Sequence, residues 1–270
     1  MTPPFHAIRT KTVAGFTVQY LHAEEVALLA DDIFQHEEYR FDCLRKAPRI
    51  LDCGAHIGLS VLYFKHRFPD ARITAFEPNP DTFELLTRNV HGNGFTDVEL
   101  VNAAVSDEAG TLDFFVPRDP LFWHWGDAAV KNLWYADDQW QTVKVPAVAL
   151  DTYLTEPIDY LKLDVEGLET RVLMASRSRL GFVRRLTVEF HGSRTNPGNV
   201  LAPLRDLLGD VGFATALRQS HWLMREADLN RTEPYTLLMH AWRSRFGLAW
   251  FLRRDVEDRL RLKCGLGQRT

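Results

Sequence analysis

From residue 49 to residue 241, short apolar runs alternate with stretches of helical periodicity, and this alternation constrains the fold more than any other feature of the chain. Arg49–Cys53 (RILDC) reads as a buried strand, 58–68 as a helix stopped by Pro69, and 71–76 as a second strand. A helix over 80–90 follows, with Pro80 suited to its first turn, and then a third strand over 98–105. Further strands are expected at 111–116, 143–148, 160–164, 185–190, Ala214–Arg218 and 235–241, with helices at 167–176 and 200–208. Strands separated by helices need crossover connections, which makes the sheet largely parallel with helices on both faces. The expected class is α/β, an open doubly wound sheet. Residues 1–48 are irregular and read as a cap.

The first strand runs into Leu51-Asp52-Cys53-Gly54-Ala55-His56-Ile57-Gly58. Glycines without a Cβ allow a sharp turn and close approach to a ligand at a helix N-terminus. The GxxxG spacing after an acid differs from the GxGxxG of a dinucleotide loop, and a carboxylate at Asp52 repels a pyrophosphate but suits an amino-bearing ligand. Glu77 ends the next strand, where an acid accepts hydrogen bonds from ribose hydroxyls. An amine at Asp52 and a ribose at Glu77 describe S-adenosylmethionine, with Asn102 and Ala103 beside its adenine. The candidate cofactor-binding set is Asp52, Gly54, Ala55, His56, Gly58, Glu77, Asn79, Asn102, Ala103 and Asp164.

Composition narrows the partners. Net charge is −4, and no basic stripe or NPPY-like turn is present, so no nucleic-acid partner is expected. Residues 241–270 hold eight basic against three acidic side chains, which leaves the preceding 240 residues more acidic than the average suggests. Three cysteines without CxxC spacing, no run of 18 apolar residues and no signal-like N-terminus point to a cytoplasmic protein.

The segments ILDCGAHIG, AFEPNP, NAAVSDEAGTLDF, ALDTYL and YLKLDVEGLE, across roughly 49–192, resemble the FkbM family of S-adenosylmethionine-dependent methyltransferases. The pairing of EPNP with KxDVEGxE makes the resemblance specific. It implies the class I, Rossmann-like methyltransferase fold, a seven-stranded sheet in order 3-2-1-4-5-7-6 with strand 7 antiparallel. It also implies O-methylation of small metabolites or sugars, commonly in natural-product pathways. The domain plan is then a cap at 1–48, a methyltransferase domain at 49–241 and a basic amphipathic C-terminal extension at 242–270.

Methyl transfer is an in-line displacement, so the enzyme aligns an acceptor and removes its proton. The candidates lie at the ends of the fourth and fifth core strands, outside which ligands of doubly wound sheets bind. They are Lys162 and Asp164 on one strand, Glu189 and His191 on the next. In one reading His191 or Asp164 is the general base and Lys162 stabilises the developing alkoxide. In the other, Asp164, Glu189 and His191 ligate magnesium or manganese, which polarises the hydroxyl. Glu166 and Glu169 read as acids favoured at a helix N-terminus.

The stretch 118–142 carries Trp123, Trp125, Trp134 and Trp140 and is expected to form an acceptor lid, with Lys131 and Asn132 as polar contacts. His36, Glu37 and Tyr39 are placed to close the pocket from the N-terminal side. In the tail, Trp242, Phe246, Trp250, Val256 and Leu260 recur at helical spacing among arginines. Such a helix is expected to pack on the acidic core or on a second subunit, giving a homo-oligomer, rather than on a membrane. Competing readings are an N-methyltransferase acting on a small amine, a binding module without chemistry, and a dehydrogenase, the last disfavoured by the missing GxGxxG.

Overall fold

The structure, a computed structural model, describes residues 8–118, 127–130, 139–218 and 235–243. The chain opens with a hairpin, β1 (Arg9–Val13) and β2 (Phe16–Tyr20), then helix α1 (Ala23–Ala30) and one π-helical turn at Asp31–Gln35. The core follows as β3 (Arg49–Cys53), α2 (Leu59–Arg67), β4 (Arg72–Phe76), α3 (Pro80–Gly92) and β5 (Glu99–Val101). Next come β6 (Ala104–Ser106), β7 (Gly110–Pro117), β8 (Trp140–Ala149), β9 (Tyr160–Leu163) and α4 (Glu169–Ala175). The described chain ends with β10 (Arg185–Gly192), α5 (Leu201–Asp210), β11 (Ala214–Arg218) and β12 (Tyr235–Trp242).

Seven strands form one sheet in the order β11-β12-β10-β9-β3-β4-β5. β3 pairs in parallel with β4 and β9, β9 in parallel with β10, and β12 antiparallel to both β10 and β11. Alternation along β3 sends Ile50 into one apolar cluster and Leu51 and Cys53 into the other, so the sheet is buried on both faces. The register sets Asp52 beside Lys162, and Lys162 beside Thr187.

The expected third strand at 98–105 is broken. Asn102 donates its side-chain N–H to the carbonyls of Glu77 (2.8 Å) and Pro78 (3.1 Å), and Ala103 N–H returns to Val101 O (3.0 Å). This turn ends β5 and sends β6 into a separate three-stranded sheet, β6-β8-β7. The strands expected at 111–116 and 143–148 are therefore a hairpin in that second sheet rather than additions to the first. Trp140, expected in the lid, is the first residue of β8 and is only 4% exposed. Trp123, Trp125, Trp134, Lys131, Asn132 and the tail from residue 244 lie outside the described residues. Trp242, expected to open the tail helix, is instead the last residue of β12, paired with Arg185 and Ala214.

The cap docks through Asn89 of α3 and Asn93, the residue just past its end. Asn89 accepts from Gln19 N–H (2.6 Å) and donates to Gln19 O (3.0 Å) and Ile57 O (2.8 Å). Asn93 accepts from Thr17 N–H (2.9 Å) and donates to Thr17 O (2.8 Å). The two amides thus hydrogen-bond β2 as a neighbouring strand would. Phe41 stacks on Tyr160 of β9, with ring centroids 4.4 Å apart.

Candidate active site

A cavity of about 840 Å³ opens at the C-terminal ends of β3, β4, β9 and β10. Gly54, His56, Glu77 and Ala103 line one part, and Asp164, Glu166, Glu189 and His191 another. The cap closes it with α1 and with Glu38 and Tyr39. Of the cap residues singled out in the sequence, Tyr39 reaches the cavity, whereas Glu37 is drawn away by Arg40 (2.7 Å) and Arg67 (2.9 Å). His36 turns back on Asp31.

Below the cavity, Asp52 is fully buried, accepts from Ser60 Oγ (2.6 Å) and lies 3.6 Å from Lys162 Nζ. Lys162 also donates to Gly54 O (2.6 Å) and Asp164 Oδ2 (3.1 Å). Burial favours the neutral amine, but Asp164, Asp52 and Glu189 outweigh it and raise the Lys162 pKa, so it stays charged. Asp52 is therefore turned away from any ligand amine and Lys162 from any alkoxide: they form a sealed brace between β3 and β9. The glycines also act within the chain. A Cβ on Gly54 (φ 87°) would lie 2.1 Å from Asp164 O, and one on Gly58 (φ 94°) 2.9 Å from Leu86 Cδ1. Their missing side chains let β9 and α3 come close, and only Gly54 also faces the cavity.

Glu77 lines the cavity and accepts backbone N–H groups from His56 (3.0 Å) and Asn79 (2.9 Å). Burial, which disfavours its charge, dominates those bonds and moves its pKa up to about 8. Asn79 is not at the cavity wall. It caps α3 by accepting from Asp81 N–H (3.0 Å) and donates to Asp127 Oδ2 (2.5 Å). Asn102 is spent on the turn after β5, and Ala55 is buried in the core. Asp52, Ala55, Gly58, Asn79 and Asn102 thus support the cofactor end from behind, while Gly54, His56, Glu77, Ala103 and Asp164 face it.

At the other end, His191 is 2% exposed. Its Nδ1 lies 2.9 Å from Glu169 Oε1; a carboxylate only accepts, so Nδ1 carries the proton. Glu169, fully buried, also accepts from Gly167 N–H (2.9 Å) and Asn199 Nδ2 (2.5 Å). His191 Nε2 then faces Glu166 Oε2 at 3.5 Å, Asp164 Oδ1 at 4.0 Å and Glu189 Oε1 at 4.0 Å. Burial lowers the imidazole pKa, but Glu166, Glu169 and Asp164 overcome it and raise the pKa well above the ordinary value. That direction opposes the expected role of His191 as general base, because it favours the protonated ring.

Glu189 is the better-poised acceptor of a proton. Burial and then repulsion from Asp164 push its pKa up to about 7, while Tyr39 OH donates to it at 3.2 Å. Asp164, Glu166 and His191 offer ligand atoms within 4.8 Å of one another, a set suited to a cation in which Glu166 stands where Glu189 was expected. Glu166 reaches it through a left-handed backbone (φ 49°), rare outside glycine. Its place in DVEGLE marked it in the sequence as a helix-start acid. The roles of Glu169 and Asp127 carried no separate signal.

A sheet wound in this order, with an acid-ended β4 and a carboxylate-rich cavity over its C-terminal edge, marks an S-adenosylmethionine-dependent methyltransferase. The chain belongs to the methyltransferase FkbM domain family, whose model matches residues 52–214. It is 29% identical over 231 residues to methyltransferase sdnD of Sordaria araneosa, covering 73% of this chain and 86% of that one. Over 220 residues it is 28% identical to the 31-O-demethyl-FK506 methyltransferase FkbM of Streptomyces tacrolimicus, covering 71% and 84%. In fold it is similar to an S-adenosylmethionine-dependent methyltransferase from Agrobacterium tumefaciens, with TM-score 0.52, 11% identity and coverage of 87% and 70%. Among the described residues no helix is long and apolar enough to cross a membrane.

Proposed function

We propose that the chain methylates a hydroxyl of a small molecule such as a sugar or natural-product intermediate. The observation that carries this reading is a single cavity joining Glu77 to Glu189. The O-methyl positions in the names of relatives, the 31-O-demethyl-FK506 methyltransferase and the 2-O-methyltransferase NoeI of Sinorhizobium fredii, support it. The observed strand order supports the class I arrangement, with β5, β4, β3, β9, β10, β12 and β11 in the order 3-2-1-4-5-7-6.

The residues present fit S-adenosylmethionine. Glu77 offers a buried carboxylate to a ribose, and the cradle at Gly54 has no Cβ to fill it. Asp164 Oδ1 is buried and accepts no hydrogen bond from the described residues, which leaves it for an ammonium donor or a cation. When bound, the cofactor supplies an electrophilic methyl group on a sulfonium. Glu189 takes the hydroxyl proton, the Tyr39 hydroxyl holds that carboxylate in place, and α1 walls the acceptor from water. Asp164, Glu166 and His191 would hold a divalent cation, magnesium or manganese, which when bound would supply Lewis-acid polarisation of a hydroxyl.

Nine carboxylates and no Lys or Arg line the cavity among the described residues, a field that attracts a cationic cofactor and repels phosphate. The same feature favours a second reading, an acceptor bearing an amine. The site at 49–241, the cap and the cytoplasmic placement belong to this proposal, as does a homo-oligomer through the tail. Calorimetry with S-adenosylhomocysteine and with NAD tests it. Binding of S-adenosylhomocysteine that is lost in Glu77→Ala is expected, and binding of NAD alone overturns it.

A further inference from the structure

Resting on that reading of the cavity, we infer that Asp164, Glu166 and His191 form a divalent-cation site, with Glu169 as the residue that aims the imidazole. Two donors each about 2.1 Å from one ion lie about 3.0–4.2 Å apart for angles between 90° and 180°. His191 Nε2 stands 3.5 Å from Glu166 Oε2 and 4.0 Å from Asp164 Oδ1, inside that window. Charge-assisted hydrogen bonds close to about 2.7–2.9 Å, and these separations stay longer than that. The ligand atoms of all three groups lie within 4.8 Å of one another.

The ring cannot easily turn away. Its Nδ1–H is tied to Glu169 at 2.9 Å, and Glu169 is anchored by Gly167 N–H and Asn199, whose side chain also donates to His191 O (2.8 Å). A carboxylate on the far nitrogen of a metal-ligating histidine fixes its tautomer and orientation in this manner. Asp164 brings the buried Oδ1 that accepts no hydrogen bond from the described residues. One imidazole and two carboxylates suit manganese or magnesium, and ligation displaces the Nε2 proton to solvent. Glu189, 4.0 Å from Nε2 but outside the trio, remains free of the ion to receive the acceptor's proton. Lys162 serves as the internal contrast, since its cation already fills the space between Asp52 and Asp164 Oδ2.

The test is titration of Mn²⁺ into the chelator-stripped full chain saturated with S-adenosylhomocysteine, with free Mn²⁺ followed by electron paramagnetic resonance. One equivalent is expected to bind, to be displaced by excess Mg²⁺, and to weaken at least tenfold in Glu166→Gln and in Asp164→Asn, with Glu166→Gln keeping the wild-type melting profile. No stoichiometric binding overturns the inference, as does binding that Glu166→Gln and Asp164→Asn leave unchanged. The same calorimetric cell reports S-adenosylhomocysteine. Cofactor binding without Mn²⁺ removes the cation and leaves the methyltransferase reading intact, whereas failure of both removes both.

Discussion

Two charged clusters meet at the end of β9, at Lys162 and Asp164, two positions apart, and they behave in opposite ways. The brace of Asp52, Ser60, Lys162 and Gly54 O is sealed below the cavity, and its lysine has partners on every side. The cluster of Asp164, Glu166, Glu189 and His191 lies at the cavity wall with an excess of carboxylates over cations. Both hold acids that come just before a glycine, Asp52 before Gly54 and Glu166 before Gly167. The difference lies in whether the charges are spent. A brace with its charges compensated holds two strands together, while a cluster with charge left over can take a proton or an ion.

Substitutions in the two clusters should therefore separate stability from turnover. Glu189→Gln keeps the shape and removes the proton acceptor, so turnover should fall by about 10²–10⁴-fold with cofactor affinity held. Steady-state rates beside calorimetry check this, and an unchanged rate would end the assignment. Lys162→Met does the converse: it leaves Asp52 buried and uncompensated, at a cost of about 3–5 kcal/mol in folding stability. Denaturant unfolding should show this as a lower midpoint. If Lys162→Met melted like wild type, the brace would not be structural and the contrast would collapse.

The sequence made the core sheet legible because both of its signals are local. Apolar alternation set Arg49–Cys53 and its neighbours, and the DVEGLE segment set the start of α4. What it hid depends on contacts across long separations. The split at Asn102 is caused by carbonyls 24 and 25 residues earlier, and the cap's docking by the Asn89 amide on α3 about 70 residues later. Asp52 looked like a ligand-facing acid because a strand-end carboxylate reads the same whether it faces a ligand or a buried lysine. Glu169 looked like a helix-start acid for a related reason, since its partner His191 lies on a different strand. Residue type and position on an element were readable, whereas the direction of the charge was not.

Glu77 tests the comparison most finely, because it belongs to neither cluster and its charge is unspent for another cause. Its two backbone donors favour the carboxylate, but burial outweighs them and places the pKa at about 8. The unfolded chain ionises the same group near the ordinary value, so between the two values the folded state holds the extra proton. Stability from this group is then greatest at low pH and declines as pH rises toward 8. Cofactor binding should run the other way. Ribose hydroxyls donate to a carboxylate and not to the protonated oxygen of a carboxyl, so binding expels the proton that Glu77 carries at pH 7. Affinity for S-adenosylhomocysteine should rise as pH goes from 6 to 8, by at most about tenfold per unit, and level off above. Calorimetry in buffers of different ionisation heat should register up to one proton released at pH 7, falling toward zero above pH 9. Glu77→Gln, which keeps the shape but has no proton to release, should flatten both curves, and a slope that survives in that variant would move the titrating group elsewhere in the cavity.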